Sequence, residues 1–252
     1  MKTAERKLNL AGKTALVTGA AKRLGSQIAL TLAEEGVGIV AHFRHSQDQA
    51  DELVDRLKHR GGRAWALQAD LADDEQTMAL IDSARAQAGP IDFLINNASV
   101  FENETLWQTS AQSLQKNMQI HAYAPLELAR HFAKQARPGQ IVNILDSRIH
   151  DYDRDHVAYH LSKRALQSLT RMLAVELAPT VVVNAVAPGL ILPPEGEDAD
   201  HLERLAHTNP MNCWGHPRDV ADAVCFLLQT RFTTGQTLYV DGGRNLRGKM
   251  YE

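Results

Sequence analysis

The 252-residue chain has only two cysteines, Cys213 and Cys225, without C-x-x-C spacing and without histidines at metal-ligand spacing. This excludes a disulfide framework and a zinc knuckle, and it fits buried free thiols in a reducing compartment. No apolar run approaches the ~20 residues needed to span a bilayer. The N-terminal M-K-T-A-E-R-K-L-N-L lacks a signal-peptide core, so a cytoplasmic protein is expected. Blocks of like charge are also missing: 27 Lys and Arg against 30 Asp and Glu give a net charge of −3. Composition therefore points to neither a nucleic-acid nor a membrane partner. There is no His/Cys/Asp cluster, so no metal is expected. There is no G-x-S-x-G elbow and no His–Asp pattern serving Ser147, which argues against hydrolysis. What is present is ordinary core material, 44% apolar, enough for one large α/β domain or two small ones.

Short apolar runs alternate with amphipathic stretches. Strands are predicted at 14–18, 37–43, 63–68, 91–96, 140–145, 181–186 and 237–240. Most are apolar on both faces, as parallel strands covered by helices on each side must be. Helical periodicity marks 24–35, 46–60, 74–88, 111–135, 157–177 and 219–229. With no linker and no internal repeat, the pattern implies a single-domain, Rossmann-type doubly wound parallel sheet over 1–252. The stretch I-L-P-P-E-G-E-D-A-D (191–200) breaks the alternation. It reads as a substrate flap over 190–214 with a short helix from about His201, or as a plain surface loop.

The first predicted strand runs into T-G-A-A-K-R-L-G (18–25) and then a helix. Gly19 suits the tight turn and Gly25 a close helix–sheet approach, and the helix N-terminus becomes an anion site. Lys22 and Arg23 add two cations, with Arg23 where a middle glycine often stands. The second strand ends H-F-R-H-S, without the acid that holds ribose hydroxyls in NAD-preferring proteins. Arg44, His45 and Ser46 instead suit a 2′-phosphate, so NADPH is predicted over NADH.

Tyr159 and Lys163 are four residues apart and share a helix face. An ammonium beside a phenol is expected to lower the phenol's pKa toward working pH, making a tunable proton donor. Asp146 lies thirteen residues earlier, at the end of an apolar run, within reach of the same pocket. Alone, such a short pattern recurs by chance.

The order and spacing of T-G-A-A-K-R-L-G (18–25), A-D-L (69–71), N-N-A-S (96–99), Y-H-L-S-K (159–163), N-A-V-A-P-G (184–189) and V-D-G-G (240–243) change that. With these motifs the chain resembles the short-chain dehydrogenase/reductase family over essentially its full length. The resemblance implies Tyr159 as proton donor and Lys163 as the residue that holds the nicotinamide ribose and tunes Tyr159. It further implies Gly19 to Gly25, including Leu24, at the pyrophosphate side, and Asp70 and Leu71 beside the adenine. Asn97, Ala98 and Ser99 would line the cleft, and Pro188 and Gly189 would pass the nicotinamide. It also implies a homotetramer built on the two long helices, 111–135 and 157–177.

Two positions depart from the family pattern. Asp146 stands where most members carry serine, and His121 where most carry asparagine. For His121 two readings stay open: a substitute in a water or backbone relay, or packing. Asp146, the basic turn and an aromatic after N-N-A-S, here Phe101, make the chain similar to pteridine and dihydromonapterin reductases. That similarity implies a pterin stacked on Phe101, bordered by Ser99, Asp146 and Tyr159, and reduced by NADPH. A carboxylate accepts from an aminopyrimidine-like edge, whereas serine suits a carbonyl oxygen. The alternatives are a carbonyl or 3-oxoacyl reductase of the same fold, and a non-catalytic NADPH-binding sensor or scaffold.

Overall fold

Seven short strands, all parallel, build one sheet in the order β3-β2-β1-β4-β5-β6-β7. They are β1 (Thr14–Val17), β2 (Gly38–Phe43), β3 (Ala64–Gln68), β4 (Phe93–Asn96), β5 (Gly139–Ile144), β6 (Val181–Pro188) and β7 (Thr237–Val240). The computed structural model describes residues 7–194 and 196–246. Glu195 of the predicted flap and the stretches 1–6 and 247–252 lie outside the described residues.

Each strand feeds two cores by alternation. Ala15 and Val17 face one side with Ile39, Ala41, Phe93, Ile95, Val142 and Ile144. Leu16, Val40, Leu94 and Ile141 face the other. Helices α1 (Arg23–Glu34), α2 (Gln47–His59) and α8 (Pro217–Gln229) cover the first face through Ile28, Leu32, Leu53, Leu57 and Val224. Helices α3 (Asp74–Ala88), α5 (Ala124–Ala133) and α6 (Val157–Glu176) cover the second through Leu80, Ile81, Leu128, Phe132 and Leu173. Each fully buried Leu or Ile contributes on the order of 2 kcal/mol by leaving water. Within 190–214 lies a short helix, α7 (Ala199–Ala206).

The stretch 111–135 is not the one helix that its periodicity predicts. It is α4 (Ala111–Met118), a π-helical turn over Gln119–Tyr123, and α5. Pro125 has no N–H for the carbonyl of His121 and its ring crowds that carbonyl, so the regular ladder cannot continue. The wider turn absorbs the defect, with the Ala124 N–H donating to the Gln119 carbonyl.

The strand order reverses between β1 and β4. In open parallel sheets the crevice beyond the strand C-termini at such a point receives the ligand. The turns after β1, β4 and β5 converge there.

Candidate active site

The turn after β1 is held by residues from three strands. Thr18 Oγ1 accepts from the backbone N–H groups of Asn97 and Ala98, at 2.9 and 3.0 Å. The Asn97 side-chain amide donates to the carbonyls of Thr18 and Gly19. His42 Nδ1 accepts from the Gly19 N–H at 3.1 Å, so its Nε2 carries the proton and donates to the Ala69 carbonyl at 3.1 Å. Burial pushes the pKa of His42 down to about 4. This imidazole is therefore a neutral strut beneath the turn. Neither Thr18 nor His42 was singled out by sequence, because each acts through contacts with distant segments.

Gly25 is required by crowding: a Cβ there would lie 2.2 Å from the Gly19 carbonyl oxygen. Arg23 takes φ +55°, a left-handed conformation that glycine adopts at less cost, and its guanidinium donates to the Pro193 carbonyl, in the segment after β6. Lys22 caps α1 without a side-chain hydrogen bond to it, and no acid sits in the first turn of α1. Leu24 packs partly against the first core.

Beyond β2, Arg44 Nε pairs with Asp70 Oδ2 at 3.0 Å. His45 is exposed beside it, and Ser46 opens α2 without a side-chain cap. The Leu71 side chain is buried in the second core. Across the crevice, Gly189 follows Pro188, and a Cβ on it would come within 2.6 Å of Asp241.

Asp146, Tyr159 and Lys163 are brought together. Asp146 caps a 3-10 turn (Ser147–His150), its Oδ1 accepting from the Arg148 N–H at 2.7 Å. Its Oδ2 accepts from the Tyr159 hydroxyl at 3.0 Å. Lys163 Nζ lies 5.6 Å from the centroid of the Tyr159 ring and donates to the Ile144 carbonyl at 2.8 Å. The expected lowering of the Tyr159 pKa is not found. Burial and the Asp146 carboxylate push it well above its ordinary value. Burial brings Lys163 down to about 8, with Asp146 opposing the fall. The pair is thus a firmly protonated phenol beside a lysine poised to lose its charge.

Phe101 is 46% exposed. One of its faces stacks on His156, with centroids 3.8 Å apart, and it meets Tyr159 edge-on at 4.8 Å. His156 is pinned in turn by Asp153, whose Oδ1 lies 2.9 Å from His156 Nδ1. Asp153 Oδ2 lies 3.2 Å from His160 Nε2 and 3.0 Å from Arg148 Nη1. Burial alone would raise the Asp153 pKa, but the hydrogen bonds from His156, His160 and the Asp155 N–H hold it well below the usual carboxylate range. The sequence carries this hub as D-x-x-H-x-x-x-H, 153–160. Ser99 sits opposite, its Oγ 2.9 Å from His121 Nε2. Among the described residues, no group of three or more His, Cys, Asp or Glu could hold a metal ion, and no helix is long and apolar enough to cross a membrane.

A crevice at the sheet's reversal, a glycine turn opening α1 and a buried Tyr–Lys pair on α6 define a nicotinamide-dependent oxidoreductase fold. A family model described as enoyl-(acyl carrier protein) reductase matches residues 19–245. The 3β-hydroxysteroid dehydrogenase 1 of Eggerthella lenta is 35% identical over 251 residues, spanning 94% of this chain and 95% of its own. The 3-oxoacyl-[acyl-carrier-protein] reductase FabG of Staphylococcus aureus is 32% identical, spanning 92% and 97%. The solved structure of FolM alternative dihydrofolate reductase 1 from Brucella canis, complexed with NADP, superposes with a TM-score of 0.91 at 32% identity, covering 97% and 98%. The chain belongs to the short-chain dehydrogenase/reductase family and is an oxidoreductase.

Proposed function

We propose that this NADP-dependent reductase acts on a pterin-like substrate, taking a dihydropterin to a tetrahydropterin. NADP(H), the dinucleotide bound in solved relatives, is its cofactor. The residues present suit it. The first turn of α1 has no capping side chain and no acid, and Arg44, His45 and Ser46 stand where a 2′-phosphate would be met. When bound, the dinucleotide supplies the hydride.

The observation that carries the pterin reading is the 3.0 Å contact between Asp146 Oδ2 and the Tyr159 hydroxyl, beside the exposed ring of Phe101. A carboxylate keeps spare acceptor sites after two hydrogen bonds, enough for an aminopyrimidine-like edge. Phe101, backed by His156, offers its other face to a flat heteroaromatic ring and fixes its plane. Tyr159 holds the proton for the reduced ring nitrogen, and Lys163 holds the ribose side of the cleft and, as an ammonium, eases that proton's release by favouring the phenolate. The reading is tested by following NADPH oxidation with dihydrobiopterin, dihydromonapterin and simple ketones. Turnover of the pterins no faster than of the ketones would reject it.

A second reading, reduction of a ketone or 3-oxoacyl substrate, is favoured by the names of several relatives. Asp146 weighs against it, because a carboxylate repels an electron-rich carbonyl oxygen unless protonated. We also propose a homotetramer in the cytoplasm. Exposed apolar side chains on α6, Leu161, Met172 and Val175, give such an assembly material to bury, and light scattering showing a monomer would overturn it.

A further inference from the structure

His121 stands where the family's asparagine was expected, in the π-helical turn, and it is 1% exposed. Its hydrogen bonds permit one tautomer. Nε2 accepts from the Val100 backbone N–H at 3.1 Å, a group that can only donate, so Nε2 carries no proton. Nδ1 therefore carries it and donates to Ser162 Oγ at 2.8 Å. The Ser162 hydroxyl in turn donates a hydrogen bond to the Tyr159 carbonyl at 2.7 Å. The Ser99 hydroxyl, 2.9 Å from Nε2, completes the set. The ring also meets Tyr159 edge-on, with centroids 5.4 Å apart at 89°.

A continuous chain of hydrogen bonds thus runs from the N-N-A-S loop, through His121 and Ser162, to the backbone of the tyrosine. The loop borders the cleft on one side and α6 carries Tyr159 and Lys163 on the other. We propose that His121 is a positioning residue, a neutral imidazole of one tautomer that splints the N-N-A-S loop to α6 and so fixes where the Tyr159 hydroxyl sits. The imidazole does not touch the reacting atoms through this network; it acts through Ser162 and the loop. A doubly protonated ring could not accept from Val100. Burial and the nearby Lys163 charge hold the His121 pKa well below its ordinary value, which keeps the accepting form in place. The wide turn enforced by Pro125 sets this residue between the two segments.

The inference rests on the reading of Tyr159 as proton donor, with either substrate class. The test uses the full chain with whichever pterin or carbonyl compound it turns over best, and compares His121→Ala, His121→Gln, Ser162→Ala and Tyr159→Phe. kcat, KM, NADPH Kd and Tm are measured for each. Displacing the hydroxyl by about 1 Å costs on the order of 10²-fold, so His121→Ala should lose about that in kcat while NADPH Kd stays within about twofold. His121→Gln, which retains an acceptor on the loop side, should recover about tenfold of this loss. Should His121→Ala fail to fold, His121→Gln and Ser162→Ala decide: a lower kcat supports the splint, and a lower Tm with wild-type kcat overturns it. A folded His121→Ala with wild-type kcat also overturns it. An inactive Tyr159→Phe beside that active His121→Ala refutes the splint alone, whereas an active Tyr159→Phe refutes the proton-donor reading beneath it.

Discussion

The Tyr159 hydroxyl donates to Asp146 Oδ2 at 3.0 Å, and this one contact reverses the electrostatics that a serine at position 146 would give. The carboxylate disfavours phenolate and favours ammonium, so it holds the proton on Tyr159 and the charge on Lys163.

Replacing Asp146 by serine should therefore change substrate class more than cofactor use. Dihydropterin kcat/KM should fall by roughly 10²-fold, the scale of a lost acid–base partner. Activity toward small ketones should hold or rise. Parallel assays of the variant with both substrates check this; an equal loss on both would show that Asp146 does not discriminate.

The pH profile should report Lys163 and not Tyr159. With the phenol held protonated and Lys163 at about 8, reduction should decline above about pH 8 as the ammonium is lost. Asp146→Asn removes the charge that supports Lys163, so the decline should begin at lower pH. A profile flat to pH 10 in both enzymes would remove Lys163 from the proton chemistry.

Truncating Phe101 to alanine should raise the pterin KM by about 2- to 12-fold, since an aromatic stacking contact contributes about 0.5–1.5 kcal/mol. NADPH binding should change little, because the ring packs on His156 and Tyr159, on the α6 side of the crevice. Steady-state kinetics and a fluorescence titration of NADPH separate the two effects.

Arg44 is held at the end of β2 by Asp70. Arg44→Ala should weaken NADPH by about 10- to 100-fold, the loss of a charge-assisted hydrogen bond of about 1.5–3 kcal/mol. NADH affinity should move little. Isothermal titration with both dinucleotides measures the ratio, and an unchanged preference would place the 2′-phosphate contact elsewhere.

Stability should fall as pH drops from about 6.5 toward 4. The unfolded chain takes up a proton at His42 near 6.5, while the folded chain resists until about 4, so the unfolded state binds more protons between those values. Above 6.5 neither state is charged there, and the contribution is complete. At about 1.4 kcal/mol per pH unit, His42 alone accounts for about 3 kcal/mol by pH 4. His121 adds loss in the same direction, and Asp153 adds its own below about 4. Urea midpoints for wild type and His42→Gln across this range should show the variant flatter; parallel curves would assign the acid sensitivity to other groups.

The parallel sheet was readable because Leu16, Val40 and Leu94 alternate with residues as apolar as themselves, a pattern that only a two-sided core explains. Tyr159, Lys163 and Asp146 were readable as neighbours because a helix and a strand end carry them. The direction of the Tyr159 pKa was not, since it depends on burial and on which way Asp146 turns. The break at Gln119–Tyr123 follows from Pro125, whose missing N–H leaves no mark on the apolar period of 111–135. The contacts of His42, Thr18 and His121 had no local signature. Each completes a hydrogen bond to a segment more than twenty residues away, and that pairing exists only once the sheet has formed.

Arg23 spans from the first turn to the Pro193 carbonyl, at the root of the loop that follows β6. Linkage between two such segments is reciprocal. Whatever steadies the turn steadies the loop, and a loop that swings away must first give up its arginine. A ligand that steadied either segment would, through this one side chain, favour the other.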